Sequence, residues 1–289
     1  LKTKNERRVE NNEEKKEMKS GKLFIVSTPI GNYDDITLRA IKALKACDEV
    51  ICEELKVGAR ILHQLNISKK LETLNEQNEA EKTHELLGWL KEGRRLALIS
   101  DAGTPLFADP GLPLVQACIR ENIKIEVAPG VSSIMAALVR SGFSLKQFLY
   151  AGFLSRQKEE RLQQLKRLAQ EARTVVLLET PYRLLPVLEA AVKAMPRRSA
   201  YIGCNLTLPY ETHHYGTFQQ LYEKFSKERF KGEFVIVFEG VALSEFETMK
   251  SAASKPWKKP GGKFSGKYRG KPGRYKSSPQ NKYSGRRKK

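Results

Sequence analysis

Three turns built from small residues are the places where this chain could do chemistry: Thr28-Pro29-Ile30-Gly31, Ser100-Asp101-Ala102-Gly103-Thr104-Pro105 and Pro129-Gly130-Val131-Ser132-Ser133. Each follows a short apolar run and precedes a helical pattern, and ligands of open α/β sheets sit beyond the carboxyl ends of strands. Ala102 and Gly103 let a ligand approach the backbone closely, while Pro105 stiffens the exit. The helix starts behind the turns favour a polar or anionic ligand group. Asp109-Pro110-Gly111 adds a second tight bend to the middle loop. The chain has no G-x-G-x-x-G with a following acidic residue, no G-x-x-x-x-G-K-[ST] and no G-x-S-x-G elbow. Dinucleotide, P-loop and serine-hydrolase chemistries are therefore not supported. His213-His214 suggests a metal at first sight, but no third ligand accompanies it, and it reads as an ordinary loop pair.

The elements that must position these turns follow from periodicity. Short β-branched or apolar runs at Leu23–Ser27, Glu49–Cys52, Leu71–Leu74, Leu96–Ser100 and Lys124–Val127 alternate with helical patterns. A second set begins with Phe148-Leu149-Tyr150 and ends with Glu233–Glu239. The alternation predicts an α/β protein with a mostly parallel sheet covered on both faces. Expected divisions are a charged, disordered leader over 1–20, an N-terminal α/β domain over 21–144, a C-terminal α/β domain over 145–243 and a disordered basic tail over 244–289.

The 289 residues carry a net charge of +19, yet residues 251–289 hold 14 Lys/Arg and no Asp or Glu. The basicity thus belongs to the tail, where Trp257, Phe264, Tyr268, Tyr275 and Tyr283 are interleaved with the cations. Such a segment buries too little apolar surface to order alone, and its composition suits counterion release from phosphates and stacking on unpaired bases. It reads as an RNA-binding arm. Cys47, Cys52, Cys118 and Cys204 form no C-x-x-C pair, which predicts free thiols and a cytoplasmic protein. No apolar run is long enough to span a membrane, and no metal site is expected.

Taken in order, the motifs resemble one family. Leu23-Phe24-Ile25-Val26-Ser27-Thr28-Pro29-Ile30-Gly31-Asn32, with Asp35-Ile36-Thr37-Leu38-Arg39-Ala40, is similar to the opening of the tetrapyrrole-methylase superfamily. Ser100 to Pro105, Asp109-Pro110-Gly111, Pro129 to Ser132, Gly152-Phe153-Leu154 and Lys231-Gly232-Glu233-Phe234 continue the likeness over about Gly21 to Gly240. Within the superfamily the match is to the branch that methylates a ribose 2′-OH of small-subunit ribosomal RNA. Glu54-Leu55-Lys56 and Leu106-Phe107-Ala108 depart from that branch on the substrate side.

The resemblance implies two αβα domains with S-adenosylmethionine in the cleft between them, and a homodimer. Carried onto this chain, the cofactor contacts are Pro29, Ala102, Gly103, Thr104, Ser132 and Ser133 from the first half. Glu179, Leu206, Gly232 and Glu233 are the contacts from the second. Methyl transfer from a sulfonium is an in-line displacement, so positioning does much of the work. A ribose hydroxyl also needs a proton acceptor, for which Asp101, Glu53 and Asp109 are the candidates. The expected partner is ribosomal RNA or the small ribosomal subunit, held by the basic tail. Two other functions remain open on the residues alone: methylation of a tetrapyrrole or a protein, and a catalytically silent RNA-binding protein.

Overall fold

The computed structural model describes residues 21–227, 230 and 232–241. The leader and the basic tail, with the RNA-binding reading placed on it, lie outside the described residues. Two five-stranded sheets account for the described chain.

In the first sheet the order is β3 (Lys70–Thr73), β2 (Glu49–Cys52), β4 (Arg95–Ile99), β1 (Lys22–Val26), β5 (Lys124–Ala128). All four pairings are parallel. Alternation along β1 explains how two helical layers are held. Phe24 and Val26 pack under α1 (Leu38–Ala46) and α2 (Leu55–Gln64), while Leu23 and Ile25 pack over α3 (Glu79–Lys91) and α4 (Leu112–Arg120). Thr37 caps α1 by accepting the Ala40 N–H at 3.1 Å. Because every strand points the same way, all carboxyl ends share one rim, and the three small-residue turns meet there.

The second sheet runs β6 (Phe148–Gly152), β7 (Thr174–Glu179), β10 (Phe234–Phe238), β8 (Ser199–Cys204), β9 (Thr212–Thr217). Here the expectation of a mostly parallel arrangement fails. Only β6 and β7 are parallel, and the other three pairings are antiparallel. Two features produce this. β9 follows β8 after a short connection that allows only an antiparallel partner, and β10 inserts between β7 and β8 in the opposite sense. β9 itself has no apolar run, and its sequence Thr-His-His-Tyr-Gly-Thr hid it as a loop.

One face of the second sheet carries α6 (Lys158–Leu168), α7 (Leu184–Ala194) and α8 (Phe218–Lys227), with Val175, Leu177, Phe234 and Phe238 in their core. The opposite face carries α5 (Ser133–Ser141), which contributes Ile134, Ala137 and Leu138 against Val176, Tyr201 and Val237. The helix following β5 therefore leaves the first sheet and roofs the second. Among the described residues, no helix is long and apolar enough to cross a membrane.

Candidate active site

The rim of the first sheet is sewn together by backbone and hydroxyl groups. Thr28 and Gly103 form an isolated bridge, with Thr28 N–H donating to Gly103 O at 2.8 Å and Gly103 N–H donating back at 3.1 Å. The Thr28 hydroxyl donates to Ser100 O at 2.9 Å. Thr104 ties in the third turn: its hydroxyl lies 3.1 Å from the Ser27 hydroxyl and donates to Val131 O at 3.2 Å. Gly130 completes the seam, since a Cβ there would meet Ser27 Cβ at 2.8 Å. The turns at 28–31, 101–104 and 130–133, separate in sequence, form one surface.

Gly103 has φ +89°, and a Cβ added there would come within 3.1 Å of Ile30 Cγ2. The conformation favours glycine, and any side chain would also have to push Ile30 aside by a few tenths of an ångström. Ser132 stands at the N-cap of α5 without a side-chain capping bond, so its hydroxyl is not spent on its own helix. Ser133 is the first residue of α5, whose amino end is favourable to polar ligand groups. A cleft of about 570 Å³ opens at this point, lined by Ile30, Val131, Ser132, Met135, Arg140 and Thr207. Its mixture of apolar walls, a helix start and the charged Asp35 and Arg140 suits a ligand with both an apolar and a charged part.

Residues from the second sheet reach this cleft through the loop after β8. Asn32 N–H donates to the Thr207 hydroxyl at 3.1 Å, and Gly31 has no room for a Cβ against Thr207 and Leu208. Leu206 is buried in the core beneath α5. Gly232, with φ +140°, sits over Asn205, so that a Cβ would overlap the Asn205 amide. Glu233 is held next to it, its N–H donating to Asn205 Oδ1 at 3.3 Å while its carbonyl accepts the Asn205 N–H at 3.0 Å. The structure thus gathers Leu206, Gly232 and Glu233 at one edge, and burial raises the Glu233 carboxyl above its ordinary range.

Glu179 is placed differently. It ends β7 on the side of Val175 and Leu177, facing α6–α8 rather than α5. There it pairs with Arg183 Nε at 3.3 Å and accepts the Thr180 N–H at 2.9 Å. Burial pushes its carboxyl up, and the Thr180 bond and the arginines oppose that rise. Arg161 and Arg183 also donate to the carbonyls of Leu154, Ser155 and Arg156, so this buried cluster fixes the loop after β6.

The three carboxylates proposed as bases are brought to one corner of the rim. Asp101 is partly buried, one carboxylate oxygen has no hydrogen-bond partner, and the Glu54 N–H bonds to its carboxylate. Burial raises its pKa first, with Glu54 and Asp109 adding repulsion. Glu53 is raised by burial and then by Asp101 and Asp109. Asp109 is raised by burial against a hydrogen bond from Ser100. A carboxylate lifted toward neutrality is a stronger proton acceptor than one in water. Beside it, Phe107 is 53 % exposed on a loop whose Leu106 has φ +76°. The Tyr150 hydroxyl from β6 donates to Phe107 O at 3.1 Å and the two rings meet edge to face. Nothing in the sequence signalled this second link between the halves, because Phe107 stands out there only as a departure from the resembled branch and Tyr150 only as part of a strand.

His213 and His214 lie on β9, not in a loop, and face opposite sides of it. His214 packs on Phe225 and Phe230, while His213 bonds to Tyr201. Among the described residues, no group of His, Cys, Asp or Glu is arranged to hold a metal. All four cysteines are free and buried, and burial pushes Cys47, Cys52 and Cys118 up to about 11.

Comparison with known proteins places this geometry. The family model of tetrapyrrole (corrin/porphyrin) methylases matches residues 22–222. The chain is 38% identical over 220 residues to ribosomal RNA small subunit methyltransferase I of Thermotoga maritima, covering 76% of this chain and 99% of that protein. It is 34% identical over 220 residues to the protein of the same name in Bacillus subtilis, covering 76% and 75%. Among solved structures, uroporphyrin-III C-methyltransferase from Thermus thermophilus, complexed with S-adenosylhomocysteine, shares the fold with a TM-score of 0.56 at 19% identity. That match covers 76% of this chain and 97% of the other. The chain belongs to the tetrapyrrole methylase family.

Proposed function

We propose that this protein is an S-adenosylmethionine-dependent methyltransferase that methylates a ribose 2′-OH in small-subunit ribosomal RNA. The observation that carries this reading is the juxtaposition, on one rim, of the Gly103 cradle and three carboxylates raised above their ordinary range. The relatives named for methylation of the small ribosomal subunit supply the substrate class.

Ala102, Gly103 and Thr104 form the floor of the cofactor site, Pro29 and the start of α5 at Ser132 and Ser133 its first-half wall, and Leu206 and Thr207 its second-half wall. Gly232 and Glu233 back that wall through Asn205. S-adenosylmethionine supplies an electrophilic methyl group, and the protein's task is to align a hydroxyl behind it. Asp101 takes the hydroxyl proton. The unpartnered oxygen of this partly buried carboxylate is the acceptor best suited to the task, and Glu54 and Asp109 keep its proton affinity high by their charge. Phe107 and Tyr150 offer an aromatic edge on which an unpaired base stacks.

The basic tail binds phosphates without reading sequence, and the protein acts as a homodimer in the cytoplasm. The test is incubation of the full chain with labelled S-adenosylmethionine and small ribosomal subunits or free RNA, followed by mapping of the label. Label on a ribose 2′-oxygen supports the reading. Label on protein or tetrapyrrole alone, or none with RNA binding intact, overturns it.

A further inference from the structure

Thr207 has φ +67°. A β-branched residue avoids this left-handed conformation and occupies it only where its surroundings enforce it. Asn205, two residues earlier, has φ +54°. Asparagine enters this region readily, so it is at Thr207 that the second-half wall of the cleft is held in a conformation its own residue opposes.

The enforcing contacts form an unbroken chain. The Tyr201 hydroxyl is 2.9 Å from His213 Nδ1. His213 Nε2 is 3.3 Å from Glu211 Oε1. Glu211 Oε2 accepts the Thr207 N–H at 2.7 Å, and the Thr207 hydroxyl accepts the Asn32 N–H at 3.1 Å. An ionised carboxylate only accepts, so Nε2 of His213 carries a proton; in the neutral imidazole Nδ1 then accepts and Tyr201 donates.

The sheet builds the inner end of this chain. Tyr201 is fully buried under α5, and burial raises its hydroxyl pKa, keeping it protonated as a donor. Gly203 lies on the same face two residues along β8 and is paired across from His213. A Cβ at Gly203 would come within 2.7 Å of Tyr201 Oη and 2.9 Å of Leu206 Cδ2. That notch lets the tyrosine reach along the strand to the imidazole and lets Leu206 enter the core.

We propose that Tyr201, His213 and Glu211 form a fixed hydrogen-bond relay that holds Thr207 in its left-handed conformation as the second-half wall of the cofactor cleft. Glu211 and His213 are then positioning residues for cofactor binding, without contact with the reacting atoms. The proposal rests on the assignment of this cleft to S-adenosylmethionine. Thr207 and His213 bond to different oxygens of Glu211, and a glutamine at 211 replaces one of those oxygens by an NH2 donor, so either the wall or the imidazole tautomer must change.

The test uses the full chain and three variants. Nitrogen NMR of the imidazoles reads the tautomer, and calorimetry reads S-adenosylhomocysteine affinity. In the unaltered protein, His213 shows the Nε2–H signature. In Glu211→Gln it moves toward Nδ1–H or exchanges between forms, and S-adenosylhomocysteine binds about tenfold more weakly, the loss expected for one charge-assisted hydrogen bond. With RNA substrate, the change falls on KM for the cofactor rather than on kcat. Tyr201→Phe removes one hydroxyl remote from the cleft and weakens binding in the same direction by about fivefold. It keeps the proposal testable if Glu211→Gln does not fold. An Nδ1–H tautomer in the unaltered protein, or affinity within twofold of it in both variants, overturns the relay. Gly103→Val separates the two readings. If it binds normally, the cleft assignment itself falls. If it loses binding while Glu211→Gln and Tyr201→Phe keep theirs, only the relay falls.

Discussion

The two sheets reach the same cleft by opposite routes. In the first, all strands are parallel, so every loop after a strand arrives at one rim and the site is made of strand-to-helix turns. In the second, β10 and β9 run against β7 and β8, so the same edge collects the ends of β7 and β8 together with the starts of β9 and β10. Glu179, Asn205, Thr212 and Phe234 lie near one another for that reason. The first sheet brings together three raised carboxylates and a glycine turn tied by short hydroxyl bonds of Thr28 and Thr104. The second offers left-handed loop residues tied by longer side chains. A parallel edge joins neighbouring turns through backbone and short hydroxyls, whereas a mixed edge braces its loops with longer side chains.

The sharpest break in that contrast is Asp101→Asn. If the first sheet carries the chemistry, kcat for RNA methylation falls by about 100-fold or more while S-adenosylhomocysteine affinity is kept. The pH profile sharpens it further. A raised carboxylate acts as a base only when ionised, so the rate falls as pH drops through a value above the ordinary aspartate range, and the variant loses that limb. Equal turnover in the variant removes Asp101 from the reaction.

Gly103→Val is next. Positive φ and the approach of Ile30 together should weaken S-adenosylhomocysteine by on the order of 10–100-fold in calorimetry. Gly142 is the matched control, since it has φ +78° with nothing within 4 Å of an added Cβ. Gly142→Ala should cost about 1 kcal/mol of stability, read by denaturant titration, and leave binding alone.

Tyr150→Phe probes a link between the halves. Loss of its single bond to Phe107 O should cost about 1 kcal/mol in denaturant unfolding. The smallest effect has the opposite sign. The folded protein raises Glu53 above its unfolded value, so that group favours the fold fully at low pH and loses this contribution as pH rises through the folded value. Glu53→Gln should therefore raise the melting temperature by about 2 °C at pH 8 and leave it unchanged at pH 3.

Much of the first half was legible in the residues. Leu23 to Ser27 and Leu96 to Ser100 are apolar runs ending in small-residue turns, and such a pattern has few other folds to adopt. The carboxylates at 53, 101 and 109 were legible too, since each sits at a strand end or in a tight turn. The second half was less so. The residues of β9 alternate without an apolar face long enough to register, and α5 shows an amphipathic pattern that does not say which sheet it covers.

The sequence by itself determined most of the elements, β9 excepted, together with the three glycine-bearing turns and the concentration of charge in the tail, because these follow from local sterics, short-range periodicity and composition. Only the tertiary structure decided that the second sheet is mixed and that Glu179 turns toward arginines. It also decided that Tyr201, His213 and Glu211 stand in line behind Thr207. Those outcomes depend on which strands pair and in which sense, and strand pairing is set by burial summed over residues far apart in the chain, which no local pattern encodes.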